Sequence, residues 1–243
     1  MAPEVAATET RRQLGLNESE PVDVLRMLQH VEGINVARIP FGDDSKVSGL
    51  FVRRGKTQLI VINTNRSRGH QAFTASHEYY HLRYSDITGM VCSAGLFDDQ
   101  IPEERDADEF AACLLMPASG IEHFLQTQFT DSKIDFYKLI RLEQYYGVSH
   151  QAMLRRLISL RKLSELEARE YSSGVMAKAR EYGLSTELYE QTGDFEVRST
   201  LGYEVARALR AGLISEGRAS EYMTSFGLGL VDEGGQTREN ELD

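Results

Sequence analysis

His77-Glu78-Tyr79-Tyr80-His81 is the stretch on which the reading of this chain turns. On a helix, residues four apart sit roughly 40° apart around the axis. Both imidazoles can therefore face one metal ion. Glu78, next to the first of them, is placed to serve a water on that metal without being a ligand. Two histidines and a glutamate in this HExxH order suit a zinc peptidase, in which the glutamate takes a proton from the metal-bound water. The flanking pattern supports a helix independently: Phe73, Tyr80 and Tyr84 share its spacing with His77 and His81, predicting a helix over about 70–84. The bland alternative is a pair of surface histidines flanking a solvated glutamate.

A catalytic zinc takes three protein ligands and leaves one position open. The next helical segment opens at Pro102 and stops before Pro117. It carries Glu103, Glu104, Asp106, Asp108 and Glu109. Glu104 and Asp108 are four apart and share a face with Ala107 and Ala111, small enough for a close approach to the histidine helix. Glu104 is thus the candidate third ligand. Asp108 is the candidate acceptor for the free ring N–H of a liganding histidine. The other acids suit the positive end of the helix dipole.

Phe73-Thr-Ala-Ser-His-Glu-Tyr-Tyr-His-Leu82 and Glu104-Arg-Asp-Ala-Asp-Glu-Phe-Ala-Ala-Cys-Leu-Leu-Met-Pro117 together resemble the ImmA/IrrE family of metallo-endopeptidases. Its pattern is F-T-x-A-H-E-x-x-H followed by E-x-x-A-N-x-F-A-A-x-L-L-M-P. The likeness runs from about residue 21 to 162. It implies that His77, His81 and Glu104 hold the metal and that Glu78 is the general base. Asp108 stands where the family usually has Asn. The resemblance also implies Zn²⁺ as cofactor, with Mn²⁺ or another divalent ion possible. The expected activity is site-specific regulatory proteolysis of a protein substrate, such as a helix-turn-helix repressor. The alternative is a non-catalytic DNA-binding or protein-interaction regulator that keeps the peptidase fold. Tyr79, Tyr80, Tyr84 and His123 are chemically able to assist an oxyanion, but each reads as packing or surface.

Around this centre the chain predicts an α+β architecture. A small mixed or antiparallel sheet carries the HExxH helix and the glutamate helix, and an all-helical C-terminal half follows. Residues 1–18 read as a loose polar arm. Residues 19–130 read as the metallopeptidase-like domain, with a helix opened by Pro21 and closed at Gly33. Strands are expected at 34–39, 47–53 and 58–63, the last two joined through Arg54-Gly55-Lys56. They offer an edge along which an extended substrate could pair. Ser85 to Gln100 reads as irregular. Residues 131–163 form a helix-turn-helix-like pair around Gly147-Val148-Ser149. Ser164-Glu-Leu-Glu167 is a capping box. Residues 164–230 read as helical and 231–243 as a mobile tail.

Seven basic residues in 131–163 (Lys133, Lys138, Arg141, Arg155, Arg156, Arg161, Lys162) face three acids, Asp131, Asp135 and Glu143. DNA contact through this segment is the sharper reading; packed helices with solvated basic faces are the preferred one. The chain as a whole carries 27 basic and 37 acidic residues, a net charge of −10, which argues against a dedicated nucleic-acid binder. The longest apolar run, Phe110–Met116, has seven residues and cannot span a bilayer. Met1–Thr10 has no signal-peptide pattern, and Cys92 and Cys113 make no disulfide framework, so a cytoplasmic protein is expected. Cys113 reads as core, His30, His70 and His150 as surface or cap residues, and Arg66-Ser-Arg68 as a solvated turn.

Overall fold

The computed structural model describes residues 1–225 apart from 18, 31–33, 43–44, 56, 87–88, 94–100 and 132. The expected tail at 231–243 and the helix end at Gly33 lie outside the described residues, as do the side chains of His30 and Cys92.

The α+β class is confirmed. Five strands form one mixed sheet: β1 (Ile34–Ile39), β2 (Val47–Arg54), β3 (Thr57–Asn63), β4 (Gly89–Ser93) and β5 (Glu196–Arg198), in the order β4-β2-β3-β1-β5. β1 runs parallel to β3, and the remaining pairs are antiparallel. The first three strands fall where hydrophobic alternation puts them. In the β2–β3 hairpin Arg54 pairs with Thr57, and Gly55 takes φ of +60°, a value glycine adopts without a Cβ clash.

Two expectations about the sheet are corrected. β4 lies inside the stretch read as irregular, and it pairs along β2. β5 belongs to the region read as wholly helical, yet it pairs with Val36–Arg38 of β1. The three strands preceding the metal helix are therefore interior, and the outer strands of the described sheet are β4 and β5. Short strands without strong alternation owe their conformation to the neighbour they pair with rather than to their own sequence.

The helix α3 (Arg68–Tyr84) crosses one face of the sheet and meets β2 and β3. α4 (Pro102–Leu115) packs on α3, with Ala107 and Ala111 fully buried, as small residues at a close crossing require. Phe51, Ile60 and Ile62 from the sheet, Phe73 and Leu82 from α3, and Phe110 and Leu114 from α4 make the centre of the core. Each such side chain contributes roughly 1.5–3 kcal/mol by leaving water.

The N-terminal segment is not a loose arm. Residues 3–13 form α1 (Pro3–Gln13), which lies on α4 with Ala6 and Ala7 buried. Arg11 donates to the Leu114 carbonyl at 2.6 Å and to the Asn17 carbonyl at 2.8 Å, and it also reaches the Glu20 carbonyl. Polar composition hid two buried alanines and one arginine spent on backbone acceptors. The second helix, α2 (Val24–His30), starts later than Pro21 because the Asp23 carboxylate caps it, accepting from the Arg26 amide at 3.1 Å.

The second half holds α5 (Ala118–Gln128), α6 (Phe136–Tyr146), α7 (His150–Ser159), α8 (Glu165–Tyr171) and α9 (Val175–Glu181). A single 3₁₀ turn follows at Glu187–Tyr189, then β5, α10 (Leu201–Arg210) and α11 (Glu216–Ser225). Asp135 caps α6, Ser149 caps α7, Gly147 closes α6 with φ of +65°, and the capping box at Ser164 and Glu167 is present. The turn between α6 and α7 is seated on the first turn of α3. A Cβ on Gly69 would come within 2.5 Å of the Ser149 nitrogen, so that glycine is a steric requirement. No helix among the described residues is long and apolar enough to cross a membrane.

Candidate metal centre

Ser67 caps α3, its side chain accepting from the His70 amide, and His77 and His81 of that helix face Glu104 of α4. Three ligand atoms converge there. His77 Nε2 is 3.2 Å from a Glu104 oxygen, His81 Nε2 is 3.1 Å from the other, and the two Nε2 atoms are 3.2 Å apart. The ligand atoms all lie within 4.8 Å of one another, and no other described group of His, Cys, Asp and Glu is so arranged. A tetrahedral ion with bonds of about 2.0–2.1 Å holds its ligand atoms about 3.3–3.4 Å apart. The observed spacings sit just inside that figure. Two imidazoles and one carboxylate therefore fit a divalent metal as three protein donors.

The surrounding shell fixes the rings. His77 Nδ1 is 2.7 Å from Asp108 Oδ1, so the Nδ1 proton is held by the carboxylate and the Nε2 lone pair faces the centre. The Phe51 ring of β2 stacks on His81, with centroids 5.2 Å apart and planes 8° from parallel. Burial alone would raise the Glu104 carboxyl, but the imidazoles of His77 and His81 outweigh it and hold the group at about 2. It is an anion at neutral pH, as a metal ligand must be.

Glu78 is fully buried, packed between α3 and β2. A Cβ on Gly49 would stand 3.2 Å from Glu78 Oε1 and 2.5 Å from Thr74 Cγ2, so this bare position in β2 makes the room that Glu78 occupies. Gly49 and Phe51 are two residues apart and share the inward face. Their roles were not read from the sequence, although strand alternation puts both on the side toward α3.

His77, His81, Glu104 and Asp108 are thus brought together, and Glu78 lies on the same helix turn. The tyrosines are structural: Tyr79, Tyr80 and Tyr84 surround Phe110 at centroid distances of 6.2, 5.3 and 5.6 Å. His70 and His150 are not surface residues. His70 Nε2 meets Ser48 Oγ at 2.8 Å, and burial together with Arg66 lowers its imidazole to about 4. His150 is buried against Glu143.

A family model described as the IrrE N-terminal-like domain, Peptidase_M78, matches residues 29–158. The chain belongs to this family. Within the M78 match lie both helices that carry the His77, His81 and Glu104 triad, α6, and all of α7 but its last residue. Two curated relatives are the HTH-type transcriptional regulator RamB from Mycobacterium tuberculosis strains CDC 1551 / Oshkosh and ATCC 25618 / H37Rv. Each is 26% identical over 172 residues, which cover 67% of this chain and 33% of the relative. The chain therefore spans about a third of the length of the curated relatives it matches. A solved structure of a Mycobacterium tuberculosis transcriptional regulator is similar over 64% of this chain and 46% of its own, with 17% identity and a TM-score of 0.44.

Proposed function

We propose that this M78 chain is a metal-dependent, site-specific endopeptidase acting on a protein substrate in the cytoplasm. The observation that carries the reading is the convergence of His77, His81 and Glu104 on one point, with Glu78 on the same turn of α3. Zinc, or manganese or another divalent ion, would supply Lewis acidity toward the scissile carbonyl and toward water. The chain's own groups do the rest. Asp108 holds the Nδ1 proton of His77, and Phe51 holds the plane of His81. The Glu78 carboxylate accepts a proton from the attacking water and returns it to the leaving amine nitrogen.

The substrate class proposed is a helix-turn-helix regulator. The family membership and the relatives' designation as HTH-type transcriptional regulators support it. That designation also favours a second reading, a non-catalytic regulator that keeps the metal as a structural element. The two readings part at Glu78, which a structural metal does not need.

DNA contact through 131–163 has less support. Lys138 is buried and donates to Asp131 and to the Lys133 carbonyl, Arg156 donates to the Met116 carbonyl, and Lys162 pairs with Glu122. These cations hold the fold together. A mobility-shift assay at low and moderate salt should show no band that salt abolishes.

The deciding experiment incubates the metal-loaded protein with the helix-turn-helix regulator encoded beside it. One discrete cut is expected. Glu78→Gln should bind metal with wild-type stoichiometry and lose the cut; wild-type cleavage by this variant would remove Glu78 as the base. Absence of any cut by the wild-type protein, with metal bound, would favour the structural-metal reading.

A further inference from the structure

A cavity of about 680 Å³ lies at the N-terminal end of α3, well away from the metal triad. Such a volume suits a small organic ligand. Its walls come from α2, the first turns of α3, the end of α6 and the stretch 188–198. That last stretch is a strap. The Arg68 amide donates to the Glu190 carbonyl, the Thr192 and Gly193 amides both donate to the Thr64 carbonyl, and β5 closes on β1. Gln71, fully buried in α3, donates to Thr192 and accepts from Arg38.

Four arginines line the cavity: Arg26, Arg38, Arg68 and Arg198. Arg38 is already paired with Asp194 and Glu196, and Arg198 with Glu196. Arg26 and Arg68 stand on different walls, α2 and α3; neither makes a close ion pair among the described residues, although Arg68 is near enough to Asp194 to help hold that carboxyl below its ordinary value. Asp23 also lines the cavity, its carboxylate accepting from the Arg26 amide at the start of α2. The apolar part of the lining comes from Val22, Leu25, Ala72 and Leu188, with the exposed Tyr145 beside them. Tyr146 also lines the cavity, and its hydroxyl is buried with no hydrogen-bond partner among the described residues. The lining thus carries four arginines against the carboxylates of Asp23 and Glu196, in a chain of net charge −10.

We propose that this cavity is a binding site for a small organic carboxylate with an apolar body, held by Arg26 and Arg68. The anion faces the two guanidiniums, and the apolar body covers Leu25, Leu188 and the Tyr145 ring. Leu188, Glu196 and Arg198 are strap residues, so the site exists only while the strap is closed. Bound ligand must then oppose strap opening by mass action. The proposal stands whether or not the metal centre is catalytic.

The test uses the full-length, metal-loaded protein with benzoate as probe and benzamide as its neutral analogue. Hydrogen exchange is followed at the amides of Arg68, Thr192 and Gly193. At ten times its dissociation constant benzoate should slow these amides about tenfold. Benzamide should slow them no more than twofold. Arg26→Ala and Arg68→Ala, both at exposed positions, should keep wild-type exchange without ligand and lose the benzoate effect. No slowing in the wild-type protein overturns the site. So does equal slowing in the two variants, which would put benzoate elsewhere, on the metal above all.

Discussion

Two helix pairs in this molecule contain the same chemical unit and put it to different use. In α3–α4, His77 Nδ1 lies 2.7 Å from Asp108. In α6–α7, His150 Nδ1 lies 2.7 Å from Glu143. What separates them is the other ring nitrogen. His77 Nε2 faces His81 and Glu104, an arrangement that a cation completes. His150 Nε2 is 2.6 Å from the Tyr171 carbonyl, to which it must donate, and Glu143 also accepts from the Tyr189 hydroxyl at 2.6 Å. Every strong valence of that second pair is consumed internally. A buried histidine–carboxylate contact therefore says nothing about metal binding until the far nitrogen is followed.

The contrast can be broken most severely at the histidines themselves. His77→Ala should abolish stoichiometric binding of Zn²⁺ or Co²⁺, measured by elemental analysis or Co²⁺ absorption. His150→Ala should leave metal stoichiometry intact. It should instead cost about 3–5 kcal/mol in denaturant unfolding, because Glu143 is left buried without its partner. Metal loss in the second variant, or retention in the first, would erase the distinction.

pH sharpens it next. Burial would lower the His150 imidazole, but Glu143 and the Tyr171 carbonyl outweigh it and raise the group. Burial likewise raises Glu143, against the pull of His150 and Tyr189. Both groups keep their protons longer in the folded chain, so the Glu143 contribution falls as pH rises above about 4.3 and the His150 contribution as it rises above about 6.5. His70 has the opposite sign. With its imidazole lowered to about 4 by burial and Arg66, the unfolded chain takes the proton first. Its stabilisation is complete above about 6.5 and falls by up to about 3 kcal/mol as pH drops toward 4. Unfolding measured against pH should lose the acid-side slope in His70→Asn and the alkaline-side slope in His150→Ala.

Smaller effects belong to single supporting contacts. Asp108→Ala should weaken metal affinity about 10–100-fold by freeing the His77 ring, read by competition with a chelator. Tyr189→Phe should cost about 1.5–3 kcal/mol in unfolding and leave metal affinity unchanged, since it removes one hydrogen bond to a buried carboxylate.

Legibility followed the range of the interactions involved. The metal helix, the glutamate helix, the hairpin and the caps at Ser149 and Ser164 are local patterns, and all were readable. The N-terminal helix was not, because Ala6 and Ala7 look neutral until α4 is laid against them. β4 and β5 were not, because each is strand only by pairing with a partner far along the chain. The histidines at 70 and 150 read as surface or cap residues because nothing in their neighbourhood announces Ser48 or Glu143 across a turn or a sheet.

The chain by itself determined which residue types recur at helical spacing, and so which imidazoles and carboxylates share a face. Helical geometry fixes that within a few residues. Only the tertiary structure decided that Glu104 meets both histidines, that Gly49 leaves room for Glu78, and that a late strand straps the start of the metal helix. Those outcomes depend on how separate elements pack at close range, and packing is a property of surfaces in contact rather than of any one segment's period.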